Sequence, residues 1–180
     1  MKKLSIEKIL FCIAGLIGLI ALFLFIYYKL TPEWYERIDV DSLLPEQYLA
    51  YSAMLGSDPS NNMGEDRFIK AEYDESNDKY ILWVRGNEGL TTNSTKSSYL
   101  KTASDIFKSI FNVRPDKIAN KDVEIVVCGE VTDAYGNASI KGLLRVTINE
   151  EIEGKINWNN FDYNNLLHIS KKSWTHDLLN

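Results

Sequence analysis

A chain of 180 residues with 20 Lys plus Arg, 25 Asp plus Glu, two His and two Cys is of single-domain size, which excludes a large multidomain enzyme. Its net charge of −5 hides an asymmetry: residues 1–29 hold four lysines and one glutamate, so the remainder carries 16 basic against 24 acidic side chains, net −8. A field of that sign repels phosphate backbones and anionic lipid, so no nucleic-acid partner is expected.

Ile9 to Tyr28 is a run of 20 residues without charge or strongly polar side chain. As a helix it spans about 30 Å, the thickness of a bilayer's hydrocarbon core. A secretory signal has an apolar region of about 7 to 15 residues and a small-residue cleavage site. Here Phe25, Ile26, Tyr27, Tyr28 and Lys29 stand where such a site would be, so a retained span is expected. Cys12 follows Phe11 near the beginning of the run, which speaks against lipidation there. Lys2, Lys3 and Lys8 outnumber Glu7 before the run, whereas Glu33, Glu36, Asp39 and Asp41 outnumber Lys29 and Arg37 after it. By the positive-inside rule the N-terminus stays in the cytoplasm. The expected organisation is a cytoplasmic N-terminus (1–8), a single transmembrane helix acting as signal-anchor in the cell membrane (9–28), a juxtamembrane linker (29–44) and an extracytoplasmic domain (45–180). Abundant Asn, Ile, Lys and Tyr with scarce Arg point to an AT-rich genome and so to a bacterium.

After Pro45, Tyr48, Leu49, Ala53 and Met54 recur at helical spacing, and Gly56 is placed to end a helix. Residues 57–64 are loop chemistry. Arg67–Asp74 alternates, with Ile69, Ala71 and Tyr73 on one face and Phe68, Lys70 and Glu72 on the other; Tyr80–Arg85 is a denser apolar strand, and turn residues lie between them. Together they predict a hairpin. A polar stretch, Gly86–Ser97, precedes an amphipathic helix carrying Tyr99, Ala103, Ile106, Phe107, Ile110 and Phe111, with Ser97 or Ser98 as its cap and Arg114-Pro115 beyond its end. A second hairpin puts Val123, Ile125, Val127 and Val131 on one face, against Ile140, Leu144, Val146 and Ile148. A turn within Asp133–Asn137 makes paired numbers sum to an odd value, which sets Glu130 against Lys141 or a near neighbour, with Arg145 and Thr147 facing solvent. Glu150–Gly154 predicts one helical turn and Asp162–His168 a short helix, with Trp158, Phe161 and Tyr163 closing one end of the core. The fold class expected is α+β: an antiparallel sheet of two hairpins with one principal amphipathic helix.

Chemistry-bearing patterns are sparse. Ser98 and Lys101 have the spacing of a serine–lysine pair, but Ser5 and Lys8 repeat it on the cytoplasmic side, and no SDN or KTG partner motif is present. Cys128, the one cysteine of the expected domain, has no disulfide partner there and sits in an apolar strand as a buried thiol. His168 and His176 are eight apart and match no zinc spacing. Asp58, Ser60 and Asn62 imitate a calcium loop, but glycine comes one position late at Gly64 and Ile69 stands where a bidentate glutamate is needed. Trp158, Phe161, Tyr163 and Trp174 among asparagines read as core packing in preference to a sugar-stacking surface. No catalytic, cofactor or metal residue is therefore assigned. The expected activity is binding of a protein partner in the envelope, anchored through one helix; the alternative is a small cell-envelope-modifying enzyme.

Overall fold

The computed structural model describes residues 38–56, 67–118 and 120–180. Among them no helix is long and apolar enough to cross a membrane; the segment expected to do so, 9–28, and the calcium-like loop at Asp58 to Gly64 lie outside the described residues.

The fold is mixed α+β. Its elements are α1 (Pro45–Leu55), β1 (Phe68–Asp74), β2 (Lys79–Arg85), α2 (Thr92–Val113), β3 (Asp122–Thr132), β4 (Ala138–Ile148), α3 (Glu150–Glu153), α4 (Leu166–Ile169) and β5 (Lys172–Thr175), with short 3-10 turns between them. The strands form one five-stranded sheet in the order β1-β2-β3-β4-β5.

The two hairpins form as expected, but they do not join into an antiparallel sheet. β2 and β3 run parallel, from Lys79 opposite Asp122 to Arg85 opposite Cys128. The reason is the connection: α2 takes the chain back along the sheet, so β3 starts at the same end as β2. The helix is also longer than its apolar pattern suggested. Thr91, not Ser97 or Ser98, caps it: Thr91 Oγ1 accepts from the Ser94 N–H while Ser94 Oγ accepts from the Thr91 N–H. The first two turns are all polar and show no periodicity, which is why they read as loop.

One face of the sheet carries the core. Leu82 and Val84 of β2, Val123, Ile125 and Val127 of β3, and Leu144, Val146 and Ile148 of β4 are buried with Tyr48 and Leu49 of α1 and Tyr99, Ile106, Phe107 and Ile110 of α2. Trp158 stacks on Phe107 and Phe111 and meets Phe161 edge-on, closing one end of this core. Two fully buried tyrosines are treated differently by the packing. Tyr48 donates to the Ile110 carbonyl and accepts from the Arg114 N–H at 2.9 Å. Tyr99 lies across Gly86 and Gly129 so closely that a Cβ on Gly129 would collide with its hydroxyl, which has no hydrogen-bond partner among the described residues.

Bulges break the expected parity in both hairpins. In β1 the register shifts between Phe68 and Lys70, so Phe68 pairs with core residue Val84 while Lys70 pairs with Trp83, and Ile69 is left exposed. In the second hairpin residues 123–127 pair with 148–144 at odd sums, but from Cys128 opposite Gly142 outward the sums are even. Leu143 is the extra residue, and both Leu143 and Leu144 are buried. Beyond it every side chain changes face, so Glu130 lies opposite Ile140 and not Lys141, and Ile140 leaves the face it was expected to share with Leu144. β5 was not foreseen: its four residues, Lys-Ser-Trp-Thr, have no apolar alternation and are recruited by pairing with residues 144–147.

Candidate functional site

The sheet face turned away from α1 and α2 brings together residues that the sequence leaves far apart. Cross-strand register aligns Lys70, Trp83, Val126, Arg145 and Trp174 in one row, with Glu72, Ile81, Glu124, Thr147 and Lys172 in the next. Residues opposite one another in a ladder share a face, so both rows point outward from the core.

Trp83 is the centre. Its ring covers a small apolar floor of Ile81, Val126 and Cys128. Gly142 leaves room for this layer: a Cβ there would come within 2.7 Å of Val126 Cγ1 and 3.6 Å of Trp83 Cζ3. Lys70 Nζ lies 5.0 Å and Arg145 Cζ 5.1 Å from the Trp83 ring centroid, so two cations meet the negative π face. Such contacts each contribute about 0.5 to 2 kcal/mol, depending on desolvation. The indole N–H donates to Glu72 Oε1 at 3.2 Å, and Glu72 also takes Lys70 at 2.8 Å. The hydrogen bond from Lys70 holds the Glu72 carboxyl below its ordinary range.

Glu124 lies beneath this layer, almost fully buried. It accepts from Lys79 Nζ at 2.6 Å, from Arg145 Nη1 at 2.9 Å and from Thr147 Oγ1 at 3.4 Å. Burial by itself would raise its pKa, but Lys79 and then Arg145 outweigh burial, and the net shift is downward. A buried carboxylate with two cations and a hydroxyl is satisfied, and it fixes where Arg145 stands. Trp174, at the sheet edge next to Arg145, remains 45% exposed. The result is a charge-paired aromatic surface, with Arg145 bound to both Glu124 and the Trp83 ring.

The residues weighed from the sequence are dispersed. Lys101 is committed to Asp105 at 2.7 Å, and Ser98 sits in the second turn of α2 rather than at its cap. Cys128 is buried under Trp83, and burial pushes its thiol up to about 11. His168 is exposed on α4; His176 Nδ1 accepts from the Leu178 N–H at 3.2 Å, and its ring meets Trp174 edge-on. Trp158 belongs to the core on the helical side of the sheet and Trp174 to the open face, so they form no common sugar platform. Among the described residues no group of three or more His, Cys, Asp or Glu is placed to hold a metal ion. A polar hollow of about 430 Å³ opens at the other end of the sheet, lined by Asp78, Asp122, Glu150, Glu151, Lys171 and three asparagines. Two of its carboxylates are already engaged, Asp122 by Lys171 at 2.8 Å and Asp78 by Lys121 at 2.5 Å.

The sequence signal for the open face was available in part: Lys70 and Glu72 alternate with half-buried Ala71 and Tyr73, and Arg145 lies between buried Leu144 and Val146. What joins them through Trp83 is the parallel seam, which the alternation does not encode. No family model matches the chain, and no curated protein or solved structure matches it significantly.

Proposed function

We propose that this protein is a single-pass membrane-anchored binding domain, held by residues 9–28 with its C-terminal part outside the cytoplasm, and that its open sheet face receives a protein partner in the envelope. The observation that carries the binding reading is the row Lys70, Trp83, Arg145 and Trp174, in which an aromatic side chain is left 45% exposed beside a cation held in place from below. Exposed Trp and fixed Arg are the residue types that dominate binding energy at protein interfaces. The charge asymmetry around Ile9–Tyr28 supports the orientation. Against the enzyme alternative stand the burial and raised pKa of Cys128, the ion pair of Lys101 and the capping bond of His176.

The test combines topology with complementation. Protease added to intact cells or spheroplasts removes everything beyond Lys29; complete protection until lysis overturns the orientation. Alanine at Ser98, Cys128 or His168 leaves a deletion strain complemented, whereas Trp174→Ser, at normal abundance, does not. A stable Ser98, Cys128 or His168 variant that fails to complement would refute a purely binding role.

A further inference from the structure

Part of the segment counted as linker from the sequence is tied to the domain. Lys117 Nζ donates to two main-chain carbonyls, that of Asp41 at 2.6 Å and that of Leu43 at 2.9 Å. Between them lies the 3-10 turn Val40–Ser42, capped by Asp39, whose side chain accepts from the Asp41 N–H. The Ser42 and Leu43 N–H groups donate to the Asp39 and Val40 carbonyls at 3.1 and 3.3 Å. Arg114 also pairs with Asp41. Arg114 caps the C-terminus of α2 and Lys117 stands in the 3-10 turn Pro115–Ile118 just after it, so residues 39–43 are fastened to that end of the helix.

The fastening is separate from the core. No side chain of Val40–Ser42 is buried, so lifting the segment uncovers little apolar surface. The first turn of α1 is closed from within, by the Leu44 N–H on Gln47 Oε1 at 3.0 Å and the Tyr48 N–H on the Leu44 carbonyl at 2.8 Å, and α1 is seated by buried Tyr48 and Leu49. The two bonds from Lys117 are charge-assisted and therefore stronger than the long bonds of the turn itself. The Arg114–Asp41 pair contributes less, because the Asp41 side chain is 74% exposed and solvent screens it.

The position of this segment in the chain gives it a consequence. If residues 9–28 span the membrane, the tether between span and domain is residues 29–38, which extend to at most about 35 Å, and release of residues 39–44 adds about 20 Å. A pull from the anchor meets the bonds of Lys117 before it meets α1.

We propose that residues 39–43 are a strap that opens as a unit without unfolding α1, that Lys117 is its clasp, and that the tether therefore has a short and a long state. The two tether lengths rest on the anchored reading; the strap and its clasp do not.

The test uses the full-length protein in detergent micelles, with amide hydrogen exchange as readout. Lys117→Met keeps the apolar stem and removes the donors. Exchange at Ser42 and Leu43 is expected to quicken about tenfold, while Leu49 in α1 and Val126 in β3 keep their rates. Thermolysin should release fragments beginning at Val40, Leu43 or Leu44 about tenfold faster from this variant. Asp41→Asn, which removes only the Arg114 pair, should change these rates by less than about twofold. The parent protein gives a measure that needs no variant: low urea should leave exchange at Ser42 and Leu43 unchanged and quicken it at Leu49, because opening the strap exposes little surface. Unchanged exchange at Ser42 and Leu43 in Lys117→Met overturns the proposal. So does an equal rise at Leu49, or a shared urea dependence, either of which would make the strap part of the folding unit of α1. A tenfold effect of Asp41→Asn would take the clasp from Lys117 and overturn it as well. Protection of the domain from protease in intact cells would count against the orientation alone and leave these rates standing.

Discussion

Removing the hydroxyl of Tyr99 should stabilise the domain, an unusual outcome for a substitution in a core. The hydroxyl is fully buried and lacks a hydrogen-bond partner among the described residues, so folding strips it of water without replacement. Burial raises its pKa to about 12, with smaller contributions from Glu88 and Cys128, the direction expected of a phenol that cannot be solvated. An unsatisfied buried hydroxyl costs about 1 to 3 kcal/mol, whereas the dispersion attraction of a single oxygen offsets only a small part of that. Tyr99→Phe should therefore gain about 1 kcal/mol or more. Tyr48→Phe supplies the contrast, because that hydroxyl serves both the Ile110 carbonyl and the Arg114 N–H; its loss leaves two backbone groups unpaired and should cost about 1.5 to 3 kcal/mol. Urea titrations of a fragment beginning at Ile38 measure both. Opposite signs support the reasoning. A Tyr99→Phe variant destabilised by more than about 1 kcal/mol would show that the hydroxyl has a partner, an ordered water being the first candidate, and would refute it.

Two further outcomes are expected of the same fragment. Leu144→Ala, at a fully buried position opposite Val127, should lose about 2 to 5 kcal/mol, and Lys141→Ala, exposed beyond the bulge, well under about 1 in the same denaturant titration. Glu124 has a lowered folded-state pKa, so its contribution is present above the unfolded carboxylate value and is lost as pH falls through the folded one. Glu124→Gln should accordingly cost about 2 kcal/mol or more near neutrality, and the gap to the parent should narrow below about pH 4. A constant gap across that range would separate the effect from ionisation.

The parts of this fold that could be read from the chain are those where burial is one-sided. Alternation in residues 123–127 and 144–148 marked both strands and their inner faces, and the spacing of Tyr99 to Phe111 marked the core side of α2. Where the pattern carried no apolar signal, it misled: residues 92–98 are helical through their cap, and Lys172–Thr175 is a strand through its neighbour. A Thr-x-x-Ser cap six residues upstream was the signal that could have moved the helix start. Parity arguments failed at Leu143 because a single extra residue reverses every face beyond it. The Trp83 layer was illegible for a different reason. The β1–β2 hairpin sets Lys70 opposite Trp83, but Arg145 reaches them only through the β2–β3 pairing, which a 22-residue helix between two strands should have suggested.

That parallel seam also sets the order in which the chain can fold. Each hairpin closes within a short loop, a microsecond event, but Lys79 meets Asp122 only after all the chain between them has been brought round. Until α2 has formed and docked, β2 and β3 both present unpaired edges bordered by Ile81, Leu82, Val84, Ile125, Val126 and Val127, the composition most prone to intermolecular pairing. Loss of the Thr91–Ser94 cap, which lies outside the packed core, is therefore expected to lengthen the time the nascent sheet spends open and to lower refolding yield, beside the roughly 1 kcal/mol of native stability that a helix cap contributes.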